Sequence, residues 1–192
     1  ISSDLNYEMG FSSGAKQSNI RFKITKISKD KRIIHEINGK PALDELLRLM
    51  GWKKKMILDE NKLLNSIFPK FPLGFYKNGK IILRPFVLIL GKSLGFMSKI
   101  ESDDAFIALM SGKDILNAKK ELKINKDNHF TLINSCGVRA MGLGRNINTE
   151  KEELQKIFKD NFIILYTVGE AYKTKNNSIM HLNESMVKLG FK

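Results

Sequence analysis

Two stretches decide the fold: His129-Phe130-Thr131-Leu132-Ile133-Asn134-Ser135-Cys136-Gly137-Val138-Arg139, and Phe162-Ile163-Ile164-Leu165-Tyr166-Thr167-Val168-Gly169-Glu170-Ala171-Tyr172. Each is rich in β-branched and aromatic residues and ends on small or polar ones, the composition of a strand running into a turn. Between them Thr149-Glu150-Lys151-Glu152 has capping-box spacing, and Leu154, Ile157 and Phe158 follow on one helical stripe. Strand, helix and strand over this length predict a βαβ unit, whose crossover makes the two strands parallel. Cys136–Arg139 and Gly169–Glu170 then share the carboxyl edge of one sheet, where open α/β sheets bind ligands.

Working outward, Ile20–Thr25 and Arg32–Ile37 alternate as two strands around a polar turn. Pro41 fits the first turn of a helix whose buried stripe is Leu43, Leu46, Leu47 and Met50, ending at Gly51. Asp59 can cap a second helix carrying Leu63, Leu64, Ile67 and Phe68, stopped by Pro69 and Pro72. Extended runs follow at Leu73–Tyr76, Lys80–Leu83, Phe86–Leu90, Phe96–Ile100 and Ala105–Met110, with a hairpin signal at Asn78-Gly79. Ser111 with Asp114 opens a helix burying Ile115, Ala118 and Leu122, and Ile179–Leu189 reads as a last strand. Hairpins early and alternation late predict an α+β class: a mixed sheet with N-terminal hairpins, a C-terminal βαβ unit and helices packed on the sheet.

At 192 residues the chain can bury roughly 70% of its unfolded surface. Residues 1–19 read as a linker or remnant of a preceding domain, and 20–192 as one domain. No apolar run reaches the ~20 residues of a membrane helix, and the start lacks a signal-peptide pattern. A single cysteine excludes an internal disulfide and fits a reducing, cytoplasmic setting. The net charge is +13, but lysine outnumbers arginine 27 to 6 and is scattered except at Lys53-Lys54-Lys55. Specific nucleic-acid readers concentrate arginine with aromatics on one face, so a specific nucleic-acid partner is not expected. Three isolated histidines and one cysteine offer no metal-site spacing, and no glycine pattern suits a nucleotide cofactor. Neither a metal nor a cofactor is expected.

The candidate residues lie at the predicted sheet edge. Cys136 at a strand-to-helix corner reads either as a thiol activated by the helix N-terminus or as a small hydrophobe filling the corner. A nucleophile needs a base within reach. His129, at the far end of the same strand, is about 23 Å away. Arg139, in the first turn beyond the strand, can hold a carboxylate bidentately. Glu170, at the neighbouring strand end, can accept an ammonium group, and the two together suit an amino acid. An Arg139–Glu170 salt bridge without a ligand is the equal alternative. Tyr166 shares the Glu170 face if the strand stays regular, as a pocket wall or as plain core.

The motifs Ser135-Cys136, Arg139, Glu152-Glu153, Tyr166 and Gly169-Glu170 resemble the C-terminal half of the FIST sensory domain. So do Asn38-Gly39-Lys40-Pro41-Ala42, Phe71-Pro72-Leu73-Gly74 and Arg84, and the resemblance runs from about Ile20 to the chain end. It implies a non-catalytic sensory module of a signal-transduction protein that binds a small polar metabolite, an amino acid or carboxylate. It implies ligand contacts at Cys136, Gly137, Arg139, Tyr166, Gly169, Glu170 and Asn183, and a partner in the N-terminal half of the same domain. Leu182 stands where the family usually has a His, and Ser102-Asp103-Asp104 replaces a turn glycine. The alternatives are a cysteine-dependent hydrolase or transferase using Cys136, and a basic module that binds protein or nucleic acid.

Overall fold

The computed structural model describes residues 6–53, 67–122, 128–174 and 176–192. The expected helix capped by Asp59 falls almost entirely outside these residues, as do Lys54 and Lys55. The fold is α+β and divides into two compact units. One holds the described residues up to Gly14 together with Ser111–Lys192, and the other is Ala15–Met110.

The strand pairs of the Ala15–Met110 unit are all antiparallel among the described residues. Its strands are β2 (Lys16–Ile27), β3 (Ile33–Ile37), β4 (Lys40–Pro41), β5 (Leu73–Lys77), β6 (Lys80–Arg84), β7 (Leu88–Leu90), β8 (Ser93–Gly95) and β9 (Asp104–Leu109). They run in the order β6-β5-β9-β2-β3-β8-β7, with β4 paired to β3. Asn78 and Gly79 both take positive φ (52° and 73°), as a two-residue hairpin between β5 and β6 requires. Helix α1 (Ala42–Leu49) buries Leu43, Leu46 and Leu47, the expected stripe, against Ile34, Ile37 and Leu94. Phe96–Ile100, expected as a strand, is not one. The pairing with β3 falls on Ser93–Gly95, just before it, and leaves Phe96 and Ile100 as core anchors in a loop.

The other unit contains the βαβ crossover. Strand β10 (Phe130–Cys136) pairs parallel with β11 (Phe162–Thr167), Thr131 opposite Phe162 and Cys136 opposite Thr167, so both strands end at one edge. Strand β14 (Met186–Phe191) runs antiparallel to β10, and β1 (Tyr7–Ser12) antiparallel to β14. Tyr7–Ser12, read as part of a linker, is thus a strand of the sheet. Its apolar residues Tyr7, Met9 and Phe11 alternate with Glu8 and Gly10, a period-two pattern too short to stand out among serines.

Helices cover one face of this sheet. Helix α2 (Gly112–Glu121) starts at the expected capping box, the Ser111 side chain accepting from Asp114 N and the Asp114 side chain accepting from Ser111 N. Helix α3 (Gly137–Leu143) leads through a 3₁₀ turn into α4 (Ile147–Phe158). The capping box expected at Thr149 does not form: α4 begins two residues earlier, and Glu150 turns inward. Leu154 and Phe158 pack on Leu122, Ile133 and Met186, with Ile157 partly buried. Gly14 takes φ +72°, and a Cβ there would lie 2.1 Å from the Asp114 carbonyl, so only glycine fits. The last segment, expected as one strand, is two: β13 (Ile179–Leu182) and β14, broken at Glu184 with φ +50°. Strand β13 pairs instead with β12 (Glu170–Lys173) as a separate hairpin.

Candidate functional site

Strand ends and one broken strand build the site. The carboxyl ends of β10 and β11 bring Ser135, Cys136 and Thr167 together, and the Asn183–Ser185 break runs alongside, with Cys136 N donating to the Ser185 carbonyl at 3.0 Å. Gly169 (φ +87°) turns the chain from β11 into β12, which sets Glu170 beneath the edge. A Cβ on Gly169 would meet His181 Nε2 at 2.7 Å and Asn183 Nδ2 at 3.4 Å, so this turn requires glycine. Cys136, Gly169, Glu170 and Asn183 are therefore brought together. Gly137 opens α3 beside the Thr167 carbonyl.

Two buried polar clusters occupy this region. In the first, Arg139 is 1% exposed and held on several sides: Nη2 donates to Glu150 Oε1 at 2.7 Å and to the Ile115 carbonyl at 3.0 Å. Its Nη1 donates to the Ser13 carbonyl at 2.9 Å and its Nε to Ser135 Oγ at 3.2 Å. Glu150 also accepts from Ser135 Oγ (3.3 Å) and from the Tyr166 hydroxyl (3.1 Å). Arg139 does not face open space and does not pair with Glu170. One helical turn of α3 and the inward turn of Glu150 aim the guanidinium into the helix face. Tyr166 likewise donates its hydroxyl to Glu150, and burial pushes that hydroxyl's pKa up.

The second cluster holds Glu170 and Glu184. Glu170 (3% exposed) accepts from Ser185 Oγ at 2.9 Å and more loosely from Ser185 N and Thr167 Oγ1, both at 3.4 Å. Burial outweighs these bonds and pushes its pKa up to about 7. Glu184 is fully enclosed, and neither carboxylate oxygen has a hydrogen-bond partner among the described residues. Burial raises its pKa well above the usual value, with the Glu170 charge adding to the rise and the Arg139 charge opposing it.

Cys136 sits beside Glu170, and the backbone N–H groups of Val138, Glu184 and Gly169 point at its sulfur. Its pKa is nevertheless pushed up to about 11, first by burial and then by Glu170. A helix N-terminus does not activate this thiol, because desolvation exceeds what those donors return. Sequence reasoning missed Glu184, Ser185 and the role of Glu150. The one available signal was three consecutive polar residues, Asn183-Glu184-Ser185, interrupting an apolar alternation. The pair Glu152-Glu153 is peripheral: Glu152 is exposed and Glu153 pairs with Lys119.

Among the described residues no group of three or more His, Cys, Asp or Glu could hold a metal, and no helix is long and apolar enough to cross a membrane. A family model described as the FIST C domain matches residues 42–173. The match spans α1 to β12 and so includes Cys136, Arg139, Glu150 and Glu170 but not Glu184. No curated protein and no solved structure matches the chain.

Proposed function

The chain belongs to the FIST C domain family, which is assigned a sensory role in signalling proteins, and from that premise we propose that it is a non-catalytic module binding a small amine at the carboxyl edge of β10 and β11. The observation that carries the reading is Glu184, enclosed with both oxygens unsatisfied beside a second buried carboxyl. An orphaned buried carboxyl is costly, and an ammonium group from a ligand would satisfy it. With Arg139 taken by Glu150, the site favours the cationic end of a metabolite, such as the amino group of an amino acid. Cys136, Gly169 and Asn183 frame the group, while Arg139 and Tyr166 hold the edge in place.

Because Glu184 is enclosed, entry requires the turn from Thr167 to Glu170 to lift. Binding and conformational change are then one event, and differential affinity for the two states carries the signal, with the N-terminal half of the family's domain as the receiving partner. The raised thiol pKa of Cys136 argues against nucleophilic catalysis.

The test is thermal unfolding of the chain with amino acids, primary amines and small carboxylates. A ligand at about 100 times its Kd adds about 2.7 kcal/mol. Amines and amino acids should stabilise, and Glu184→Gln, which mimics the neutral carboxyl, should remove the shift without unfolding the chain. Stabilisation by carboxylates alone, or an undiminished shift in Glu184→Gln, would overturn the reading.

A further inference from the structure

The face of the β1-β14-β10-β11 sheet opposite its helices is not closed. Strand alternation places Met9, Leu132, Val187 and Leu189 side by side on it, forming the floor of a trough of about 370 Å³. That volume lies within the range of small-molecule sites. The β12–β13 hairpin forms one wall: Tyr172 packs its ring on Phe11 with centroids 4.7 Å apart, and Lys173 and Ile179 line the trough.

Among the described residues of this lining, polar side-chain groups are carried by Tyr7, Asn134 and Lys173, and the last two set the ligand's polar parts. Asn134 lies in the floor, and its Oδ1 is enclosed with no hydrogen-bond partner among the described residues. A buried amide oxygen left this way calls for a donor. Lys173 is exposed, and it is the cationic side chain of the lining. An apolar floor, an orphaned acceptor and a lysine at the wall together specify a ligand's three parts: a hydrophobic body, an O–H or N–H donor, and an anionic group.

We propose that this trough is a second small-molecule site, taking an apolar carboxylate that carries a hydroxyl or amide N–H. It is independent of the Glu170–Glu184 cluster, whose unsatisfied groups are acidic and call for the opposite charge.

The experiment is an amide-resolved NMR titration of the chain with 3-phenyllactate, 3-phenylpropionate and 2-phenylethanol. Phenyllactate should bind tightest, phenylpropionate should lose the Asn134 contact, and phenylethanol should lose the Lys173 contact. Saturable shifts should map to Leu132, Asn134, Val187 and Leu189. Lys173→Glu, a surface change, should weaken phenyllactate by about five- to tenfold. Asn134→Leu should abolish the preference for phenyllactate over phenylpropionate and raise unliganded stability. The proposal is overturned if no probe gives saturable shifts at these residues at millimolar concentration. It is also overturned if shifts map only to the Cys136–Glu170 edge, or if Lys173→Glu leaves the affinity of phenyllactate unchanged. Failure here leaves the amine reading standing, because that reading is scored on amines and on Glu184→Gln.

Discussion

Replacing Arg139 by alanine strips four hydrogen bonds from the interior of the helix-covered face at once. Among the described residues Glu150, 3% exposed, keeps the Ser135 and Tyr166 hydroxyls as donors, and the Ser13 and Ile115 carbonyls each lose the guanidinium as a donor. Breaking a buried pair by removing one partner costs about 3–5 kcal/mol, because the remaining charge is uncompensated. The two lost bonds to the carbonyls act on the same neighbourhood, so their roughly 1.5–3 kcal/mol each does not simply add. Against a total stability of about 5–15 kcal/mol, such a loss leaves the unit near unfolding. Urea denaturation followed by far-ultraviolet circular dichroism measures it. A loss below about 1 kcal/mol, the value of a solvent-exposed pair, would refute the argument. A second arm isolates the stranded charge: Arg139→Ala with Glu150→Gln should be less destabilised than Arg139→Ala alone. Equal losses would show that packing, and not the unpaired carboxylate, sets the cost.

Two further outcomes follow from the buried acids. Glu170 is raised from 4.5 to about 7, so the folded state binds more protons than the unfolded one across that window, and this group's contribution to stability falls as pH rises through it. Glu170→Gln should flatten part of the slope between denaturation curves at about pH 5 and about pH 8, and an unchanged slope would refute the assignment. Cys136, enclosed and with its thiol pushed up to about 11, should resist a thiol reagent in the native chain under conditions that label the unfolded chain in minutes. Stoichiometric native labelling at the unfolded rate would contradict the burial argument.

Local pattern was enough for the βαβ unit. The runs ending at Cys136 and Thr167, the stripe of Leu154 and Phe158 and the Ser111 capping box depend on neighbours in sequence, and each forms as its residues dictate. The parallel pairing followed because a helical crossover leaves few other arrangements. Sequence thereby determined the α+β class and the shared edge of Cys136 and Glu170. What fills that edge was decided only in three dimensions. Arg139 meets Glu150 and not Glu170 because one turn of α3 aims it into the helix face, where the carbonyls of Ser13 and Ile115 also accept from it. Tyr7–Ser12 becomes a strand because β14 offers it an open edge, a partner about 180 residues away that no local window contains. Glu184 is buried because the chain breaks there between the β12–β13 hairpin and β14, and a polar residue in sequence carries no mark of the enclosure that raises its pKa. Periodicity assigns elements and faces, but the charge state and partners of a buried group depend on which distant atoms surround it.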